Sequence, residues 1–141
     1  MFLESGNQQD LGPKPALINI HSEALCNNHF RTAIWTGEHL QVTLMSIPVG
    51  GEIGLEMHDH LDQLIKIESG CANVYMGNCK QQVKLAGKAN ANYAILIPAG
   101  TWHNIINASS QPLKVFSVYA PPQHPFGTVH KTKFDSDLSE E

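Results

Sequence analysis

The chain has 141 residues, 42% hydrophobic and 16% charged, with a formal net charge of −4. That length suits one domain with a sizeable core, and the apolar share excludes a disordered chain. The acidic balance, without a basic cluster, argues against nucleic acid or an anionic membrane as the main partner, and no apolar run approaches the roughly 20 residues that span a bilayer.

The first residues, MFLESGNQQD, lack the basic start and apolar core of a signal peptide, so a cytoplasmic location is expected. Residues 1–15 read as a polar arm with Gly12, Pro13 and Pro15. Residues 15–20 suit a first edge strand, and Ser22 to Asn28 one helical turn capped by Ser22. Strands are expected over 30–35 and 41–47, the second ending at Pro48-Val49-Gly50-Gly51. From Gln63 to Glu68 the residues alternate. Gln63, Ile65 and Ile67 then share the inner face, with Lys66 and Glu68 outside. Cys71–Met76 and Lys80–Leu85 read as a hairpin around Gly77-Asn78, which sets Cys71 opposite a residue near Lys84. Residues 87–92 read as a polar loop, 93–97 as an apolar strand, and 102–107 and 113–119 as two more strands. From Ala120 the tail carries Pro121, Pro122 and Pro125, too many for regular strand, and it ends in an acidic, solvated stretch.

Eight to ten short strands with closely spaced turns and no long helix indicate an all-β sandwich or barrel. The expected organisation is an arm at 1–28, a barrel at 29–119 and a proline-rich, acidic tail at 120–141. Cys26, Cys71 and Cys79 are odd in number and have no paired spacing, so they read as reduced thiols. Asn107-Ala108-Ser109 spells a glycosylation acceptor, which means nothing without a secretory route.

The chemistry concentrates in two stretches. In the first, His58 and His60 are separated by one residue. In an extended strand both imidazoles reach the same face and converge on one point, as a metal ion requires. Gln63 follows on an inward position. In the second stretch, Pro98-Ala99-Gly100 marks a turn and His103 stands just past it. Three imidazoles and an amide oxygen suit Zn, Fe, Ni or Cu, and less strongly Mn. The competing reading makes His58 and His60 ordinary surface histidines. Gln63 either ligates or only hydrogen-bonds near the site. As a neutral ligand it would leave the ion its full charge, weaken its retention and acidify a bound water. Glu56 shares the parity of His58 and His60, so it is a candidate general base or ligand orienter. The alternative for Glu56 is a strand-end carboxylate reaching water. Asp59 and Asp62 are expected to face solvent. Phe30, Trp35, Tyr75 and Trp102 line a pocket mouth or, more simply, the core. Arg31 either binds a carboxylate or phosphate in bidentate fashion or makes a surface pair. His124 and His130 either close over the mouth, assist a partner chain or do neither.

These residues resemble the two motifs of the cupins. His58, His60 and Gly70 fit the first motif, and Pro98, Gly100, His103 and Asn107 the second. There are three departures. The spacer from Gly51 to His58 is one residue longer, Asn92 stands at the second motif's glycine, and Gln63 stands at the metal-binding glutamate. The resemblance implies a double-stranded β-helix, a jelly-roll barrel, with a divalent ion on His58, His60, Gln63 and His103. The expected role is a metal-dependent enzyme acting on a small polar molecule, similar to the sugar-phosphate isomerases. The type I mannose-6-phosphate isomerases, longer relatives in the family, include a glutamine ligand. Two alternatives stand beside it: an Fe-, Cu- or Ni-dependent dioxygenase, and a non-enzymatic binder of a metabolite or metal. Cupins of this size commonly pair through edge strands, and the arms at 1–28 and 120–141 suit a homodimer by strand exchange.

Overall fold

Strands form where β-branched and aromatic residues alternate with polar ones. The computed structural model describes residues 3–4 and 8–139, so the last two residues of the acidic tail and part of the arm lie outside the described residues. Two short strands, β1 (Leu3–Glu4) and β2 (Ala16–Leu17), pair in parallel. Helix α1 (Ile20–Cys26) follows. Its cap is Asn19, whose side chain accepts the Ser22 N–H at 3.2 Å, so the expected cap Ser22 is the residue being capped.

The remaining elements are β3 (Arg31–Thr36), β4 (Gln41–Ile47), β5 (Asp62–Ser69), β6 (Cys71–Gly77), β7 (Lys84–Asn90), β8 (Ala94–Ile97), β9 (Trp102–Asn107), β10 (Leu113–Ala120), β11 (Val129–His130) and α2 (Lys133–Ser139). They build a six-stranded antiparallel sheet in the order β11-β3-β4-β10-β5-β8, and a three-stranded one in the order β7-β6-β9. Met45, Ile47, Ile65 and Ile67 of the large sheet pack with Val74, Ala89 and Ile105 of the small one. Burying each large side chain there stabilises by about 1.5–3 kcal/mol. On the outer face of the large sheet, Ala24 of α1 packs on Ile34 and Leu44. The expected all-β jelly roll is what forms.

The inner face of the large sheet is graded. Cross-strand partners lie on one face, and the register gives the rows Ile47–Leu113, Met45–Val115–Ile67, Thr43–Ser117–Ile65 and Gln41–Tyr119–Gln63–Ile97. One end of the barrel interior is therefore aliphatic and the other polar.

Three local readings change. The β6–β7 turn is longer than a two-residue hairpin and holds a 3-10 turn at Lys80–Gln82. The loop folds back over Gly77, where a Cβ would lie 2.6 Å from the Gln82 carbonyl oxygen. Cys71 consequently faces Asn90, not a residue near Lys84, and β7 runs through much of the expected polar loop. An edge strand with exposed side chains tolerates that polar composition. The tail also docks on its own chain: β11 pairs with β3, and α2 follows. Its start is legible in retrospect, since the Thr132 hydroxyl accepts the Asp135 N–H at 3.2 Å.

Asn107 is a buried knot, not a glycosylation acceptor. Its Nδ2 donates to the carbonyls of Ile47, Pro48 and Gln111 at 3.0, 3.2 and 2.9 Å, and its Oδ1 accepts the Ser109 N–H at 2.8 Å. Asn92 has φ +75°, in the left-handed region. That explains why asparagine can replace the motif's glycine, because it is the side chain best tolerated there after glycine. Asn92→Gly is expected to leave the midpoint of urea unfolding within about 0.5 kcal/mol of the parent, whereas Asn92→Val is expected to cost about 1–2 kcal/mol. Equal midpoints for the two variants would contradict this.

Candidate functional site

The site begins with a two-way backbone pairing. Glu56 N–H donates to the His103 carbonyl at 3.0 Å, and His103 N–H to the Glu56 carbonyl at 2.9 Å. Residues paired in this way present their side chains on one face, so Glu56 lies beside His103. A second bond, from Gly100 N–H to the His58 carbonyl at 2.8 Å, fastens the His58 segment to the turn that leads into β9. Gly100 holds φ +85°, as the sharp turn before His103 demands.

Three donor groups converge as a result. Glu56 Oε1 lies 3.3 Å from His103 Nε2 and 3.5 Å from His58 Nε2. One ligand atom from each residue lies within 4.8 Å of the other two. His103 is fully buried, and its Nδ1 sits 3.0 Å from the Thr101 carbonyl. A carbonyl only accepts, so Nδ1 carries the proton and neutral His103 presents a bare lone pair at Nε2. That lone pair faces a carboxylate oxygen, which is also only an acceptor. Neither His58 Nε2 nor His103 Nε2 has a hydrogen-bond partner within the described residues. Acceptors converging at such distances call for a cation between them. Burial pushes the Glu56 carboxyl up, but the His103 and His58 imidazoles, when they carry a proton at Nε2 in place of a metal, outweigh it by hydrogen bond and charge and hold the group well below the usual carboxylate range. The residues present therefore fit a divalent metal ion.

The structure does not bring His60 into this group. Its side chain is 63% exposed, and Nδ1 lies 3.0 Å from the Asp59 carboxylate. The expectation rested on strand alternation, but the backbone bends at Asp59 and His60 before β5 begins, so parity is lost. Glu56, expected beside the ligands, lies with His58 and His103 instead. Gln63 is buried on the inner face, and its Oε1 has no hydrogen-bond partner in the described residues. Asp62 is exposed, as expected, and its carboxylate accepts the Ala99 N–H at 2.9 Å. All three cysteines are free.

Tyr119 was missed. It lies opposite Gln63 on β10, and its ring meets the His58 ring edge-on at 6.1 Å. Burial pushes its hydroxyl above the usual range, so it stays a proton donor. The only signal in the sequence was its inward parity at the end of β10. His124 stacks edge-on against Tyr119 at 5.3 Å, and His130 against His124 at 6.1 Å. The tail histidines thus continue the wall of the site. Phe30 packs in the core as expected, while Trp35 lies outside the principal core cluster and donates Nε1–H to the Lys14 carbonyl at 2.8 Å. Arg31 is not a surface residue, since only 2% of it is exposed.

An uncharacterized protein of Bacillus subtilis strain 168, YrkC, is 51% identical over 133 residues, covering 94% of this chain and 72% of the relative. Uncharacterized protein L612 of Acanthamoeba polyphaga mimivirus is 38% identical over 114 residues, covering 80% of this chain and 69% of the relative. The crystal structure of BH2720 from Bacillus halodurans superposes with a TM-score of 0.91 at 53% identity, covering 92% of this chain and 98% of that one. The family model for the cupin domain matches residues 43–119, the span that carries both histidine stretches, and the chain belongs to the cupin family.

Proposed function

We propose that this protein is a metal-dependent enzyme acting on a small polar metabolite, with its divalent ion held by His58, His103 and Glu56. The observation that carries the reading is the convergence of two imidazole lone pairs and a carboxylate oxygen in a buried site. When bound, a divalent ion supplies Lewis-acid polarisation and lowers the pKa of a coordinated water. The protein's own groups do the rest. Thr101 fixes the His103 tautomer, and Gln63 offers a neutral oxygen beside the cluster. Tyr119 keeps its proton and can give it to an oxygen of the bound molecule. Proton transfer of the isomerase type needs only these parts.

One observation favours a second reading, a dioxygenase. Two imidazoles and one carboxylate with open positions are the donor set that suits non-haem Fe(II). Metal analysis by mass spectrometry on protein purified without added metal separates the two readings. Stoichiometric Zn or Mn, with isomerisation of hydroxy-carbonyl substrates and no O₂ uptake, is the expected result. Stoichiometric Fe with substrate-dependent O₂ uptake would move the assignment to the dioxygenase. Trace metal that added Zn, Mn or Fe does not raise would end both.

A further inference from the structure

The polar end of the barrel holds a charge that the chemistry above does not use. Arg31 and Ala33 share the inner face of β3, since Ala33 pairs with Thr43 and the intervening Thr32 pairs with Leu44 on the outer face. Arg31 is 2% exposed and forms no ion pair with a described carboxylate. A buried guanidinium is normally paired, because desolvating a lone cation is costly.

Its hydrogen bonds all leave from one nitrogen. The NH1 nitrogen donates to His130 Nδ1 at 3.0 Å and to Ser136 Oγ at 2.7 Å. His130 is therefore protonated at Nε2, from which it donates to Ser139 Oγ at 3.1 Å. These partners are all neutral. They aim the guanidinium, and the Phe30 ring lies 5.3 Å from its central carbon, but no anion answers its charge and Nε has no hydrogen-bond partner among the described residues. The same stretch of wall holds Thr43 Oγ1 and Ser117 Oγ, also buried without hydrogen-bond partners among the described residues. From Arg31 the rings of His130, His124 and Tyr119 lead stepwise to His58.

We propose that Arg31 is the anion receptor of this site, and that the small molecule it takes carries a carboxylate, laid against the guanidinium while its other end reaches the His58–His103–Glu56 cluster. The proposal rests on the metal-dependent reading for that far end only. Charge balance selects carboxylate over phosphate. A phosphate monoester brings close to two negative charges, whereas one guanidinium answers one. Burial and the neighbouring Arg31 hold His124 and His130 neutral, with His124 pushed down to about 3, so neither histidine supplies a second cation. The planar fork of arginine also matches a planar carboxylate.

The test is side-chain NMR of Arg31 in ¹⁵N-labelled protein, metal-free and Zn-loaded, with the Nε–Hε resonance assigned by its loss in Arg31→Lys. The probes are acetate and formate, with acetamide as the neutral isostere, chloride as the salt control and inorganic phosphate as the rival anion. Ligands this small reach roughly millimolar affinity at best, so titration runs to about 100 mM. The expected result is a saturable shift with acetate or formate, at least tenfold weaker or absent with acetamide, chloride and phosphate. In Arg31→Lys and Arg31→Met, checked for fold by circular dichroism, the change in ¹³C-acetate linewidth is expected to vanish. A silent Arg31 resonance, or equal shifts with acetamide or chloride, would overturn the proposal. A stronger response to phosphate would overturn the choice of carboxylate. Because Zn uptake is measured in the same samples, an Arg31 response to acetate in protein that takes up no Zn would sink the metal reading alone. Stoichiometric metal with a silent Arg31 would sink only this one.

Discussion

Alanine in place of His103 is expected to lower metal affinity by more than about 100-fold, beyond what the loss of a mere supporting hydrogen bond does. His58→Ala is expected to match it. His60→Ala is expected to leave metal content unchanged, although His60 belongs to the sequence motif, because its ring faces solvent against Asp59. The informative variant is Glu56→Gln, which keeps the shape and removes the charge. If Glu56 ligates, a site stripped of its one carboxylate loses metal along with the alanine variants. If Glu56 only moves protons, metal stays and turnover falls by about 10²–10⁴-fold. The 3.3 and 3.5 Å separations from the two imidazoles favour the first outcome. Competition titration with a chelating dye, backed by mass spectrometry, reads all four variants. Equal losses in His60→Ala and His103→Ala would contradict the site as drawn.

How much of this was legible in the sequence depended on how far local rules reach. The strands over 41–47 and 102–107 have the boundaries that alternation implies: β4 lies between β3 and β10, and β9 pairs with β6 on one side and is held by single bridges to Glu52 and Glu56 on the other. Asn92 and Gly100 were legible as special backbone positions, since left-handed φ narrows the choice of residue to a few. The structure departs from strand parity at His60 for one reason. Parity is a property of a continuous strand, and the chain between Glu56 and β5 bends. What placed Glu56 in the cluster was its two backbone bonds to His103, between residues 47 positions apart in the chain. No pattern within one stretch encodes such a pairing. Arg31 was legible as a possible carboxylate or phosphate binder, but its burial was not, for a related reason. A lone arginine at the start of a strand is usually a surface group, and only the docking of β11 and α2 buries it. That docking depends on His130, Ser136 and Ser139, residues whose types carry no strong signal.

Acid is expected to unfold the metal-free protein earlier than its composition suggests, and His124 is the main cause. Burial, with Arg31 and His130 nearby, pushes its pKa down to about 3 from an ordinary value near 6.5. Above pH 6.5 neither the folded nor the unfolded chain holds the proton, so the group contributes nothing. Below it the unfolded chain binds a proton that the folded chain refuses, and stability falls by about 1.4 kcal/mol per pH unit down to about pH 3. The loss is roughly 2 kcal/mol by pH 5. His130, lowered by burial and by Arg31, acts in the same direction. Glu56 adds to the loss only further down. Its folded carboxyl lies well below the unfolded value of 4.5, so the stability it contributes is complete above that value and is lost as pH falls beneath it. Urea unfolding at pH 7.5 and pH 5 measures the slope, and His124→Gln is expected to remove roughly half of it. Metal must be absent, because ligand protonation brings a pH dependence of its own. An unchanged slope in His124→Gln would show that the tail opens before His124 is forced to stay neutral, and that the wall of the site is less firmly docked than its hydrogen bonds imply.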